Sequence, residues 1–385
     1  MSDMIKNTIA KTFLDIASGL ETGSFAPKPK IVVTGPGSEH GEEEMLRGSV
    51  MAAAGGIDVV YIGSLTHESI TTIPAANDKD AHDIMERMLE SGEADGAVTM
   101  HYPFPIGVST VGRVVTPGMG RPMYIATTTG TSSSNRVEGM IKNAIYGVVA
   151  AKACGLREPT VGILNVDGAR QTEGALKELG AKGYEISFAS SGRSDGGCVM
   201  RGNDLLTGAC DVLVTDPLTG NILVKTLSSF TTGGSYESVG WGYGPGIGQG
   251  YDRLVMIISR ASGAPVLKGS IEYAAELVRG NYRDIAGQEF AAAEKAGLKR
   301  ILESIKAKAS PAQEQEAVQA PPKEVVTGEI SGVEITELED AVAVLWKAGI
   351  YAESGMGCTG PIILVNEPRL ETAVGVLAKY KYITE

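Results

Sequence analysis

The sequence predicts an α/β protein built on a mostly parallel sheet, and three observations predict it. Short β-branched apolar runs alternate with stretches of helical periodicity along most of the chain, the pattern of repeated strand–helix–strand units. Glycine occurs 50 times while aromatic residues make up 5%, a balance that suits tight strand–helix turns better than an aromatic-rich sandwich. Composition then changes near residue 307, setting off a smaller α/β tail. With 43% hydrophobic residues in 385, the chain has enough apolar surface for a large core and a second small one.

The elements follow in order. Ile5, Ile9, Phe13, Ile16 and Leu20 recur at helical spacing, with Gly19 and Gly23 as stop signals. This segment carries both charge signs, so it reads as neither a signal peptide nor a span, and no later run approaches the ~18 apolar residues a span requires. A strand is expected over 30–34, then a glycine-rich loop from Gly35 to Gly41 and a helix over 42–54. The loop lacks the Lys-Ser/Thr ending of a P-loop and the spacing of a dinucleotide fingerprint, which speaks against a nicotinamide dehydrogenase. Strand 58–62, helix 78–89 and strand 96–100 come next. Residues 101–121, rich in Gly and Pro, are expected to form a long functional loop. Strand 123–126 opens into the hydroxyls from Thr127 to Ser134 with Arg136, which read either as a solvated turn or as a set that binds phosphate oxygens. Helix 137–154, strand 160–165, helix 174–179 and strand 184–188 continue the alternation.

The run Val212, Leu213, Val214 is the next strand, stopped by Asp216 and Pro217. Proline cannot donate to a ladder and pushes the residue before it towards an extended conformation. Asp216, Thr219 and Asn221 therefore collect with Gly220 at the strand's carboxyl end, where open α/β sheets place their ligands. Ile222, Leu223 and Leu227, with Lys225, read as the first turns of a helix capped by Asn221. Free N–H groups at such a helix start favour an anion such as phosphate, although an ordinary strand–turn–helix junction gives the same pattern. Eight glycines within 233–250, together with Trp241 and Tyr243, argue for a mobile, irregular cover. Strand 253–258 and helix 271–277 close the main body. Residues 307–323 read as a linker that reaches about 22 Å as a flexible coil. Helix 337–346, strand 350–352, loop 353–360, strand 362–365 and helix 369–380 then form a separate unit, giving the divisions 1–306, 307–323 and 324–385.

The net charge of -12, from 34 basic against 46 acidic side chains without a Lys/Arg run, argues against nucleic acid and membrane surfaces as partners. Cys154, Cys198, Cys210 and Cys358 show neither metal-ligand spacing nor disulfide density. His40, His67, His82 and His101 are scattered, so neither a metal nor another cofactor is expected, and the location expected is cytoplasmic. Cys154 and Cys210 flank apolar segments and read as packing residues; Cys198, after two glycines, is open. Cys358 stands apart, in Ser354, Gly355, Met356, Gly357, Cys358, Thr359, Gly360, Pro361. Backbone N–H groups at Gly357, Thr359 and Gly360 are free to face an oxyanion there. Cys358 is then either an acyl acceptor or a small buried residue at a turn. As a nucleophile it needs its pKa lowered from ~8.5 by about 1.5 units, roughly 2 kcal/mol of preferential interaction. No histidine adjoins it, so its base comes from elsewhere in the fold or from a partner.

Glu158 to Val166, which includes Asn165, then Asp211 to Asp216, and Thr219, Gly220, Asn221 with Lys225, resemble the phosphate acyltransferase of bacterial phospholipid synthesis. That enzyme makes acyl phosphate from acyl-carrier protein and phosphate. The resemblance runs over about 30–280 and implies the two-part α/β/α fold shared with phosphotransacetylase and isocitrate-type dehydrogenases. It implies Asp216, Thr219, Gly220, Asn221, Lys225 and Asn165 as substrate-binding residues. The tail from Tyr351 to Asn366 is similar to the alpha subunit of component C of the glycine/sarcosine/betaine reductase complex, and this likeness covers the full chain. It implies that Cys358 accepts an acetyl group derived from the carboxymethylated selenocysteine of selenoprotein A, carries it as a thioester, and yields it to inorganic phosphate as acetyl phosphate. It further implies a thiolase-like beta subunit as partner, a hetero-oligomer, and a place in anaerobic amino-acid fermentation. Two departures from the phospholipid enzyme stand out. Its helices after Thr-Gly-Asn give way here to the glycine-rich 231–250, so its mode of dimerisation does not transfer. Its acidic loop start is replaced by Thr34, Gly35, Pro36, Gly37, against a carrier-protein role. The competing expectations are long-chain acyl phosphate synthesis and a non-catalytic scaffold for the beta subunit.

Overall fold

A computed structural model describes residues 13, 28–192, 196–309, 318–333, 337–357, 360–380 and 382–383. Outside these lie the helix expected over 4–20, apart from Phe13, the middle of the expected linker, and Cys358 with Thr359.

The main body begins with β1 (Lys30–Thr34), α1 (Glu42–Ala53), β2 (Asp58–Gly63), β3 (Thr71–Pro74), α2 (Asp78–Glu90) and β4 (Gly96–Thr99). There follow β5 (Val108–Val115), β6 (Pro122–Thr131), α3 (Arg136–Ala153), β7 (Thr160–Leu164), α4 (Ala169–Ala181), β8 (Ser187–Phe188), β9 (Val199–Met200) and α5 (Gly202–Thr207). It closes with β10 (Val212–Val214), α6 (Pro217–Ser229), β11 (Gly244–Ile247), β12 (Val255–Ile257), α7 (Ala264–Arg279), α8 (Tyr282–Lys295) and α9 (Leu298–Ala309).

Among the described residues these twelve strands join into one sheet, in the order β3-β2-β1-β4-β12-β11-β5-β6-β10-β7-β8, with β9 also on β7. The strands from β3 to β12 run parallel, as do those from β6 to β8. Between the blocks, β12–β11, β11–β5 and β5–β6 are antiparallel, so the two blocks point in opposite senses. Alternate residues feed different cores, as the period of a strand demands. Ile31 and Val33 pack with Met45 of α1, while Val32 packs with Ala81 and Met85 of α2. Tyr124 and Val214 join the core around α3, while Met123, Ile125 and Leu213 meet Val224 and Leu227 of α6. The α/β expectation therefore holds, with helices on both faces. No helix among the described residues is long and apolar enough to cross a membrane.

Several local expectations are corrected. The loop expected over 101–121 contains the strand β5, whose polar residues turn inward and are satisfied there: Ser109 Oγ lies 2.7 Å from Ser132 Oγ, and Thr110 Oγ1 2.6 Å from Thr128 Oγ1. Those internal bonds broke the hydrophobic pattern on which the expectation rested. The glycine-rich 233–250 is likewise not a loose cover, because β11 lies buried in the middle of the sheet. A Cβ on Gly244 (φ +88°) would sit 1.7 Å from the Val111 carbonyl oxygen, and one on Gly246 would sit 2.3 Å from the Phe104 ring. Glycine marks close backbone approach there rather than freedom. α6 starts at Pro217, not Asn221: Asp216 Oδ1 accepts the Thr219 N–H at 3.1 Å, and Pro217 occupies the first turn, where its missing N–H costs nothing. α9 runs to Ala309, into the expected linker.

The tail forms β13 (Gly328–Ser331), α10 (Leu338–Lys347), β14 (Ala352–Gly357), β15 (Gly360–Val365) and α11 (Leu370–Lys379). Its sheet, β13-β15-β14, is antiparallel throughout and encloses Ile330, Leu338, Leu345, Ile363 and Leu377. The loop expected over 353–360 is in large part a hairpin, paired from Ala352↔Val365 to Gly357↔Gly360. Ile106 of the main body packs against this core, so the two parts are in contact.

Two glycine substitutions should move stability in opposite directions. In Gly220→Ala the new methyl would stand 1.7 Å from the Thr127 carbonyl oxygen, so α6 must shift, at a cost of about 1–3 kcal/mol or more. In Gly287→Ala, on the exposed face of α8 with nothing within 4 Å, stability should rise by about 0.5–1 kcal/mol. Urea unfolding midpoints check both signs.

Candidate active site

The opposed strand blocks leave a cavity of about 380 Å³ where they meet. That volume lies in the range of small-molecule sites. Its walls draw on several elements. β4 and β12 contribute the residues just past their carboxyl ends, Met100 with His101 and Ser259 with Arg260. β6 contributes Thr129, α6 contributes Asn221 and Lys225, and the tail contributes Glu329, Met356 and Gly357. The last two end β14, and Cys358 is the next residue in the chain.

The residues expected to bind substrate divide into two groups. Asn221 and Lys225 face the cavity. Asp216, Thr219 and Gly220 instead fix the start of α6 and are not among its lining residues. Asp216, nearly buried, accepts from Thr219 N and from Thr219 Oγ1 at 2.6 Å, and pairs with the Arg136 guanidinium at 3.0 Å. Gly220 admits the β6 backbone beside it. Asn221 Nδ2 donates to the Thr128 carbonyl at 3.1 Å, which turns its side chain along the wall. Asn165 follows β7, donates its N–H to the Met200 carbonyl at 2.9 Å, and does not line the cavity. Of the expected backbone set, Gly357 lines the cavity and pairs with Gly360 as the last rung of the hairpin, while Thr359 and Cys358 lie outside the described residues. The hydroxyls of Thr127 and Thr128 serve the sheet: Thr127 Oγ1 donates to the Thr110 carbonyl at 2.6 Å and Thr128 Oγ1 to the Tyr243 carbonyl at 2.7 Å. They are neither a solvated turn nor a phosphate set.

Charge at the site is mixed. Lys225 Nζ is held 3.0 Å from Glu237 Oε1 and 3.2 Å from Ser259 Oγ, and Glu237 is a buried carboxylate that also accepts from Ser262 Oγ at 3.1 Å. Burial pushes the Tyr243 hydroxyl, 3.3 Å from the same carboxylate, far up. Arg260 is exposed and makes no ion pair among the described residues.

Sequence spacing missed one constellation. Asp78, His82 and His101, scattered along the chain, bring their ligand atoms within 4.8 Å of one another, with the two imidazole centroids 4.7 Å apart. The donor set does not fit a metal ion. His82 Nδ1 faces the Asp78 carbonyl at 2.9 Å and its Nε2 faces the His101 carbonyl at 3.0 Å, so neither lone pair is aimed at a shared centre. The signal that finds His101 and Arg260 is positional: each follows the carboxyl end of a parallel strand, the place where such sheets bind ligands.

A family model described as "Fatty acid synthesis protein" matches residues 29–364. Over 379 residues the chain is 59% identical to the glycine/sarcosine/betaine reductase complex component C subunit alpha of Peptoclostridium acidaminophilum, with 98% of each chain covered. The chain belongs to this component C alpha family. More distant relatives of this chain are phosphate acyltransferases. That of Fervidobacterium nodosum is 34% identical over 128 residues, 30% of this chain and 36% of its own. That of Staphylococcus epidermidis is 30% identical over 177 residues, 40% of this chain and 50% of its own. Among solved structures, a branched-chain phosphotransacylase from Enterococcus faecalis aligns at a TM-score of 0.45 and 15% identity over 64% of this chain and 98% of that one. The likeness is too distant to bear on the site.

Three thiols of this chain are accounted for by packing. Burial pushes Cys154 and Cys210 up to about 12 and Cys198 up to about 11. Thiols so placed are inert as nucleophiles. Iodoacetamide at pH 7.5 should leave all three unmodified in the folded chain and alkylate them after unfolding in urea, as read by peptide mass mapping; label on any of them in the folded chain contradicts this.

Proposed function

We propose that this chain is the acyl-transferring alpha subunit of a component C, passing an acetyl group from Cys358 to inorganic phosphate. One observation carries the reading: Met356 and Gly357, the last residues of β14, line the same cavity as Asn221, Lys225 and Arg260. A thioester carried on the residue after Gly357 then meets the anion in a cavity of small-molecule size. Phosphate sits against Arg260, Lys225 and the side-chain amide of Asn221. Asp216, Thr219 and Gly220 hold α6 where it presents two of those groups, and Asn165 is left outside the seat.

The reaction is a two-stage acyl transfer. Cys358 receives, as a thioester, an acetyl group that the thiolase-like beta subunit delivers from carboxymethylated selenoprotein A. A phosphate oxygen attacks its carbonyl carbon, the C–S bond breaks, and acetyl phosphate leaves. The chain acts in a hetero-oligomer, without nucleic acid or membrane, in the cytoplasm of a fermenting anaerobe. The family description favours a second reading, long-chain acyl phosphate from acyl-carrier protein. Acyl-carrier-protein thioesters offered as donors separate the two.

The test is a reconstituted component C supplied with carboxymethylated selenoprotein A and phosphate. Cys358→Ala should abolish acetyl phosphate formation, and equal formation in that variant removes the covalent step.

A further inference from the structure

His101 follows β4 at the carboxyl edge of the sheet and lines the cavity, a third exposed. Its Nδ1 lies 3.8 Å from Asp78 Oδ2, which leaves Nε2 as the nitrogen for a reactant. Among the described residues its ring makes no hydrogen bond. Asp78 is held in turn: it stands in the first turn of α2, whose Asn77 cap accepts from Asp80 N at 3.0 Å, and its other oxygen is 3.4 Å from His82 Nδ1. The result is a carboxylate–imidazole pair whose imidazole lines the cavity, built on the start of α2 and the segment after β4.

We propose that His101, with the Asp78 carboxylate as its electrostatic partner, is the general base of the phosphate-transfer step. This rests on the function proposed above and supplies the base that the neighbourhood of Cys358 in the sequence lacks. Nε2 takes the proton of hydrogen phosphate as its oxygen forms the bond to the acetyl carbon. The C–S bond breaks with its electron pair passing to sulfur, and the imidazolium returns the proton to that sulfur. Acetyl thioester and HPO4²⁻ thus become thiol and acetyl phosphate dianion, with no other reactant needed. The same path reversed loads the thiol from acetyl phosphate.

The surroundings keep the ring in the form a base needs. Burial lowers the His101 pKa below the ordinary 6.5, and the neighbouring His82 and Arg260 lower it further, against the opposing pull of Asp78 and Glu329. Neutral imidazole therefore predominates at pH 7, and activity should fall only as pH drops through that lowered value.

Exchange of radiolabelled inorganic phosphate with acetyl phosphate by the full chain tests the assignment. His101→Gln should lower the exchange rate about 10²-fold or more, with phosphate KM and melting temperature little changed, and added imidazole should restore part of the rate to His101→Ala. Asp78→Asn should lose less and move the acidic limb of the pH profile to lower pH, because a carboxylate that raises the His101 pKa is gone. Exchange by His101→Gln at the wild-type rate overturns the assignment, as does an unmoved acidic limb in Asp78→Asn. No exchange by the wild type, or undiminished exchange by Cys358→Ala, overturns the proposed function itself, and this assignment with it.

Discussion

The molecule depends on backbones that come closer than any side chain allows, two of them at the junctions that build the sheet and the site. Gly244 lies against the Val111 carbonyl, and Gly220 against the Thr127 carbonyl. The first lets β11 enter between β12 and β5, so that two parallel blocks of opposite sense become one sheet. The second lets α6 sit down on β6, where Asp216 and Pro217 start it. A methyl group at either point would push apart elements whose cores close around Met123, Leu213 and Val224, and packed interiors yield little to such a demand.

The site follows from that geometry. A parallel block presents its carboxyl ends along one edge, and ligands gather there. Here the ends of β4 and β12 bring Met100, His101, Ser259 and Arg260 to the place where the antiparallel passage brings Thr129 and Tyr243. α6 adds Asn221 and Lys225, and the tail adds Glu329 from β13 and Met356 and Gly357 from β14. The charges are not a simple cationic cup. Lys225 is spent largely on a buried Glu237, which fixes its direction, while Arg260 is exposed and makes no ion pair among the described residues. In a protein of net charge -12, the proposed capture of phosphate has to come from local arrangement rather than from the overall field.

Regular strands and helices were legible wherever apolar period and punctuation agreed. β1 and β10 fall at the expected residues, and α2, with its Asn77 cap, within one of them. Legibility failed where polar or glycine residues do structural work inside the sheet. β5 and the second half of β6 pair hydroxyl with hydroxyl in the core, so their inward faces read as solvated. β11 is glycine because its neighbours leave no room, and glycine read as mobility. Asp216 reads from sequence as a ligand residue and stands in the structure as the cap of α6, because a cap and a ligand carboxylate occupy the same turn and use the same oxygens. Asn221, Lys225 and Gly357 were found from local motif and stand on the cavity wall. His101, Arg260 and Asp78 were not, because they are assembled by strand order, which no single window of sequence contains.

Acyl transfer through a thiol on the tail's hairpin is the claim from which the roles of Arg260, Lys225 and His101 take their meaning. The full chain incubated with acetyl phosphate, quenched in acid and mapped by peptide mass spectrometry tests it most directly. The account predicts one added acetyl group on the peptide that contains Cys358, lost again when inorganic phosphate is added before the quench. An acetyl group on another residue, or on none, would contradict it.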